Sequence, residues 1–198
     1  MMRRYSLLAP AAAIALAGCG VNSIPTAEET AKARWADVQN EYQRRADLVP
    51  NLVATVQGYA RQEKSVLIGV AEARSRATSV QVSAEDLQDP AKLQRYNQAQ
   101  GELSAALGRL LSITENYPDL KSNANFMALQ SQLEGSENRI AIARRDYNGA
   151  VQAYNTRIRT FPDAIGAKLF YGAKPMQPFQ ATTPGAETAP KVDFGNQG

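Results

Sequence analysis

The sequence predicts an all-α protein, an elongated antiparallel bundle of long helices with coiled-coil-like packing. Two observations carry this expectation. Apolar residues recur at intervals of three and four over most of the chain, and the prolines of the central region fall at a few places that divide it into long uninterrupted stretches.

The first long stretch opens at Thr26-Ala27-Glu28-Glu29, which matches a capping box in which hydroxyl and carboxylate satisfy unpaired backbone donors. Its stripe is Trp35, Val38, Tyr42, Val49, Leu52, Val56 and Tyr59, with one gap at Arg45. Pro50 interrupts it, and two continuations are open: a new helix capped by Asp47, with Pro50 in its first turn, or one kinked helix. The next punctuation runs from Ser79 to Asp89. Asp89-Pro90 then starts a helix, with the carboxylate as cap and proline at the first helical position. This helix carries Tyr96, Leu103, Leu107, Leu110, Thr114 and Tyr117 on one face and ends at Pro118. The last long helix is expected from just after Ser122 to Phe161, about 58 Å of rod. Its stripe is Phe126, Leu129, Leu133, Ser136, Ile140, Ala143, Tyr147, Ala150 and Tyr154, a sustained heptad pattern that favours near-parallel packing with a left-handed twist.

Glycines 58, 69, 101, 108, 135 and 149 fall inside these helices, where each costs up to about 1 kcal/mol relative to alanine. The simplest account is close approach of a neighbouring helix at the core edge; a glycine-lined ligand pocket is the alternative.

The termini read differently. Arg3 and Arg4 precede an apolar run from Leu7 to Ala17, the layout of a secretory signal and too short to span a bilayer. Leu16-Ala17-Gly18-Cys19 resembles the lipobox of bacterial lipoproteins, in which the cysteine is lipidated and the chain is cut before it. Cys19 is the only cysteine in the 198 residues, so it has no disulfide partner in its own chain. The expected division is a signal peptide over 1–18, a short tether over 19–26 spanning at most about 25 Å, a helical bundle over 27–172 and a disordered, proline-containing tail over 173–198. Removing Arg3 and Arg4 with the signal lowers the formal charge from +3 to +1, so the basic pI is no argument for nucleic-acid binding. Gly20, rather than Asp, after Cys19 resembles the sorting pattern for an outer membrane, in a cell that has one.

Catalysis finds little support. Histidine is absent, which removes the commonest general base and the His-dependent triads and metal sites. No phosphate-binding glycine loop or nucleophile elbow occurs. The carboxylate pairs Glu134 with Glu137 and Glu85 with Asp86 read as solvated faces and caps. No enzymatic activity and no cofactor are expected, apart from covalent lipid on Cys19.

Several segments together resemble the LemA family: Arg44-Arg45-Ala46-Asp47-Leu48-Val49-Pro50-Asn51-Leu52-Val53, Gly58-Tyr59-Ala60, Glu115-Asn116-Tyr117-Pro118-Asp119-Leu120, Asn125-Phe126, and Leu133 to Ala141. Ala143-Arg144-Arg145-Asp146-Tyr147-Asn148, Tyr154-Asn155 and Phe161-Pro162 extend it, so that it covers about residues 30–172. The resemblance implies an antiparallel bundle of long helices at the bacterial envelope with no established enzymatic activity. Members usually carry an N-terminal transmembrane helix; this chain departs from that with its short signal and Cys19.

The polar residues of these segments are the candidate site. Arg44, Arg45 and Asn51 flank the first proline, and Glu137, Arg144, Asn148 and Asn155 fall on the last helix. Tyr-Asn recurs at 147–148 and 154–155, one heptad apart and so on the same faces. Two uses are open: interhelical hydrogen bonds that fix register, or a docking strip for an envelope protein or a second copy. The functional expectation is a membrane-anchored, non-enzymatic scaffold or adaptor, with a small-molecule or peptide-binding module as the alternative.

Overall fold

The computed structural model describes residues 22–180. The signal over 1–18, the lipobox with Cys19 and Gly20, and the stretch 181–198 lie outside the described residues. Among those described, the fold is all-α. Helix α1 spans Ser23–Tyr59, α2 Lys64–Ser79, α3 Pro90–Thr114, α4 Pro118–Lys121, α5 Ala124–Arg157 and α6 Asp163–Gly166. Short 3-10 turns at Arg61–Glu63 and Ala84–Gln88 precede α2 and α3, and a π-helical turn, Ala167–Tyr171, continues α6.

The two longest helices, of 37 and 34 residues, are rods of about 55 and 51 Å. They run antiparallel: Ser23 meets Asp163 at one end, Arg45 meets Glu137 midway and Tyr59 meets Asn123 at the other. Helices α2 and α3 form a shorter antiparallel pair, joined by Arg76–Glu102 near one end and Tyr117–Glu63 at the other. They pack against α1, so four helices share one cross-section over part of the rod. The expected stripes form most of the interior: Trp35, Val38, Tyr42, Val49, Leu52 and Val56 of α1 are buried, as are Phe126, Leu133, Ile140, Tyr147 and Tyr154 of α5, whereas Tyr59, the last of the α1 stripe, is exposed.

Pro50 lies inside an unbroken α1, so the helix continues through it. A proline here removes the amide that would bond the carbonyl of Ala46. That carbonyl instead accepts a 2.7 Å hydrogen bond from Arg74 Nε of α2. Asp47 caps nothing; its Oδ1 accepts from Gln43 at 2.7 Å, one turn earlier.

Several expectations are corrected. Helix α1 starts at Ser23, inside the stretch read as tether, and Thr26 Oγ1 donates to Asn22 O at 2.8 Å in place of a capping box, while Glu29 binds Lys32. The helix does not run on to Ser79. It ends at Tyr59, before fully buried Ala60, at a turn pinned by Asn123 Nδ2 donating to Tyr59 OH and Tyr117 OH donating to Glu63. The end of α5 is Arg157, four residues short of Phe161. A Cβ added at Gly58, Gly69, Gly101, Gly108 or Gly149 would meet nothing within 4 Å, and at Gly135 only the Arg139 side chain, so these glycines do not admit a neighbouring helix.

Residues 173–180 are not a free tail. Beyond Gly172, whose positive φ of 54° turns the chain back, residues 173–180 run extended along α5 as a strap. Met176 and Phe179 are buried in the bundle core. Each such side chain contributes about 1.5–3 kcal/mol of hydrophobic stabilisation, which explains why this proline-containing stretch is ordered. The Asp89-Pro90 start of α3 is as expected: Asp89 Oδ1 accepts from the amides of Ala91 and Lys92.

Candidate functional site

The apolar interior is divided into two clusters. One contains Trp35, Tyr42, Tyr96, Tyr147 and Phe179, the other Val56, Leu103, Leu110, Phe126 and Leu133. Between them lies a polar layer built on Arg45, the residue that interrupts the α1 stripe.

Arg45 is 1 % exposed. Its Nη1 donates to Ser104 Oγ at 2.6 Å and to Glu137 Oε1 at 2.8 Å. Its Nη2 donates to Gln100 Oε1 at 2.8 Å and Gln100 O at 3.1 Å. The guanidinium also lies 5.0 Å from the centre of the Tyr42 ring, a favourable cation–π placement. Buried Gln100 passes the network on, donating to Ala77 O at 3.0 Å. One cation thereby links α1, α2, α3 and α5. Its carboxylate partner, Glu137, keeps 44 % of its side chain in solvent, which spares the pair the desolvation of a fully buried salt bridge.

The second arrangement is a ladder. Asn155 Nδ2 donates to Met176 O at 2.8 Å, and Met176 N donates to Asn155 Oδ1 at 2.9 Å. Asn148 repeats this with Phe179, at 3.1 and 2.8 Å. Seven helical residues rise about 10.5 Å and three extended residues about 10 Å, so asparagines one heptad apart match backbone positions three apart. Tyr147 OH donates to Gln177 O at 2.9 Å between the two rungs. Arg144 extends the line, donating to Gln180 O at 3.0 Å with its guanidinium 4.8 Å from the Phe179 ring centre.

The strap completes an aromatic cluster. Trp35 lies 5.3 Å from Tyr96, 5.5 Å from Tyr147 and 5.5 Å from Phe179 between ring centres, and donates from Nε1 to Val82 O. Burial pushes the hydroxyls of Tyr42, Tyr96 and Tyr147 above the ordinary tyrosine value; at Tyr42 the Arg144 and Arg45 cations oppose the shift.

The seven candidate side chains thus separate. Arg45 and Glu137 meet in the polar layer, and Arg144, Asn148 and Asn155 hold the strap of their own chain. Arg44 and Asn51 are exposed and apart from both. Arg44 borders a shallow groove of about 320 Å³ between α1 and α5. There Glu41 sits 2.9 Å from Arg139 and 3.9 Å from Arg44, beside half-exposed Ile142. Sequence reasoning missed Gln100, Ser104, Met176 and Phe179. The signal for Gln100 was the gap between Tyr96 and Leu103 in the α3 stripe, the counterpart of the Arg45 gap. Of the carboxylate pairs, Glu134 accepts from Gln130, and Asp86 closes a capping box with Ser83 and pairs with Lys92, which holds its carboxyl down at about 2. Among the described residues no three His, Cys, Asp or Glu side chains gather as a metal site, and no helix is long and apolar enough to cross a membrane.

The fold and its strap define an all-α bundle in which two long antiparallel helices are joined by a shorter pair and closed by a C-terminal extended segment. The sequence model of the LemA family matches residues 34–194, and the chain belongs to that family. The match runs past the strap. Among relatives, the chain is 27% identical over 173 residues to magnetosome protein MamQ 2 of Paramagnetospirillum magneticum, covering 79% of this chain and 64% of that protein. It is 26% identical over 178 residues to MamQ of Magnetospirillum gryphiswaldense, covering 82% and 65%. It is also 26% identical over 130 residues to the protein LemA of Metamycoplasma hominis, covering 65% and 55%. The chain therefore spans slightly less than two-thirds of the length of the MamQ proteins and 55% of that LemA protein.

Proposed function

We propose that this protein is a membrane-associated, non-enzymatic scaffold or adaptor of the cell envelope, held by lipid on Cys19 and presenting the outer face of α1 and α5 to a protein partner. In a cell that has an outer membrane, that membrane is the favoured location. The observation that supports this reading is the division of its polar side chains. Arg45, Gln100, Asn148 and Asn155 are committed to holding helices and strap, which makes a stiff rod. Arg44, Glu41, Arg139 and Ile142 remain outside as a mixed charged and apolar groove on the two longest helices. A rigid helical face of that composition suits protein docking better than enclosure of a small substrate.

The test is photo-crosslinking in cells with Cys19 intact, from positions 44 and 142 and, as controls, from exposed positions of α2 and α3. One reproducible protein neighbour, or the protein's own copies, captured from 44 and 142 but not from the controls is the expected result. Equal capture of background from every position would remove the adaptor reading.

A ligand-binding module is the second reading, favoured by one feature. A groove of about 620 Å³ lies between α3 and the strap, lined by Pro90, Leu93, Asn97, Gly101 and Pro178. The buried Oδ1 of Asn97 has no hydrogen-bond partner among the described residues. A rise in melting temperature with fractionated cell extract, lost in Asn97→Leu, would support it.

A further inference from the structure

The segment 161–171 closes one end of the rod, and its two sides differ. On the inner side Gly166 and Ala167 are buried, with Ile24 Cδ1 3.7 Å from where a Cβ on Gly166 would lie. Asp163 accepts from Ser23 Oγ at 2.7 Å and lies 3.7 Å from Arg157. On the outer side stand Phe161 (82 % exposed), Ile165 (52 %), Leu169 (72 %) and Phe170 (72 %), with Tyr171 beside them. The other exposed large apolar residues among those described, Tyr59, Ile68, Met127 and Ile142, are scattered over α1, α2 and α5 and need no special account. Four large apolar side chains within ten residues do.

Charge and chain position say what covers them. Arg157, Arg159, Lys168 and Lys174 flank the patch, and its one carboxylate, Asp163, is engaged by Ser23 and Arg157. Apolar residues flanked along the chain by cations and followed by a tyrosine have the composition of an element that lies in a lipid headgroup layer. The described chain also begins at this end. Four residue steps separate Ser23 from Cys19, a reach of at most about 14 Å. The strap leads away, from Asn155 to Arg144, so the chain beyond 180 departs about 20 Å of helix below Arg157.

We propose that this end face docks on an anionic bilayer surface, with Phe161, Ile165, Leu169 and Phe170 entering the boundary between headgroups and acyl chains and Arg159, Lys168 and Lys174 meeting lipid phosphates. The contact stands the rod on its end, with the α1–α5 groove held away from the lipid. It extends the anchored-scaffold reading and takes from it only the nearness of Cys19 to the membrane.

The test uses the full chain carrying Phe170→Trp, with Cys19 intact and as Cys19→Ser, mixed with phosphatidylglycerol-containing vesicles brominated high on the acyl chains. Trp35, 2 % exposed in the core, is a constant background measured in the unsubstituted chain. Quenching of the new emission by about twofold, with a blue shift, reduced at high salt and abolished by Phe161→Asp with Leu169→Asp, is the expected result. Quenching in both forms would show that the patch binds unaided; quenching only with Cys19 intact would show that it adds to the anchor. Unquenched emission from protein that floats with the vesicles overturns the docking and leaves the anchor standing. Absence of both flotation and quenching removes both readings. Shielding of the introduced indole by a second copy, seen as a dimer in sedimentation, or by residues 181–198, seen as shielding lost on their removal, also overturns it.

Discussion

The side chain of Asn155 hydrogen-bonds both the N–H and the C=O of Met176, treating a stretch of its own chain as a helix surface treats a bound peptide. Asn148 does the same to Phe179 seven residues earlier. The heptad-spaced asparagines therefore read an extended backbone, and what they read is the strap.

Asn155→Leu and Asn148→Leu each leave a strap amide and carbonyl without partners near the core, so each is expected to lower stability by about 1–3 kcal/mol. The loss should be local: amide exchange over 173–180 accelerates strongly while α2 and α3 stay protected. Phe179→Ala, which empties the space beside Trp35, should have the larger effect. Uniform acceleration across all helices would show that the strap is an integral part of the bundle and not a separable closure.

Arg45 makes a different prediction because its surroundings are polar. Arg45→Ala leaves Gln100, Ser104 and Glu137 unmatched and is expected to cost about 3–5 kcal/mol in urea unfolding. Glu137→Gln keeps a hydrogen-bond acceptor at the half-exposed end of the pair, and should cost about 1 kcal/mol. Equal losses from the two substitutions would mean that the ion pair, not the wider network, sets the energy of the layer.

The long helices were legible because their stripes repeat over many turns, and the Asp89-Pro90 start was legible because cap and proline are local chemistry. The strap was not. A composition of proline and small polar residues reads as disorder unless Met176 and Phe179 have a receiving site, and that site exists only when Trp35, Tyr96 and Tyr147 have been brought together from three helices. The break at Ala60 was hidden for the same reason, since Tyr59, Glu63, Tyr117 and Asn123 hold it by tertiary contacts. Arg45 and Asn148 were visible as unusual residues, and only their partners decide that they face inward.

The glycines carry a prediction opposite in sign to the packing first expected of them. Gly108 and Gly149 are exposed in mid-helix with open space where a Cβ would stand. Alanine there should stabilise the protein by about 0.5–1 kcal/mol per site through helix propensity and a less flexible unfolded chain. The gain should be additive, the two lying on different helices. A loss on urea unfolding would reveal a contact with something bound at that surface.

Alkaline pH should destabilise the fold. Burial holds the Tyr96 and Tyr147 hydroxyls above the 10.0 at which tyrosine ordinarily titrates. Between that value and the higher folded one, the unfolded chain has released protons that the native protein retains. Stability is therefore unaffected below about pH 10 and falls above it, by up to about 1.4 kcal/mol per pH unit for each group. Tyr96→Phe should flatten the decline measured by urea unfolding at successive alkaline pH values, and an unchanged slope would show that Tyr96 ionises normally.

Pro50 and Arg74 should be coupled. Proline removes the amide that Ala46 O needs, and Arg74 Nε supplies a substitute from α2. Pro50→Ala restores the backbone donor, so Arg74 then competes for an acceptor already served. Arg74→Met, which keeps the aliphatic stem and loses the donor, should cost about 1–2 kcal/mol in the natural chain, where it strands a carbonyl. In the Pro50→Ala background the cost should shrink by about 1 kcal/mol, a coupling that a double-mutant cycle in urea resolves. Strict additivity would mean that Arg74 acts on α1 through packing alone, and that helix bending or water serves the Ala46 carbonyl.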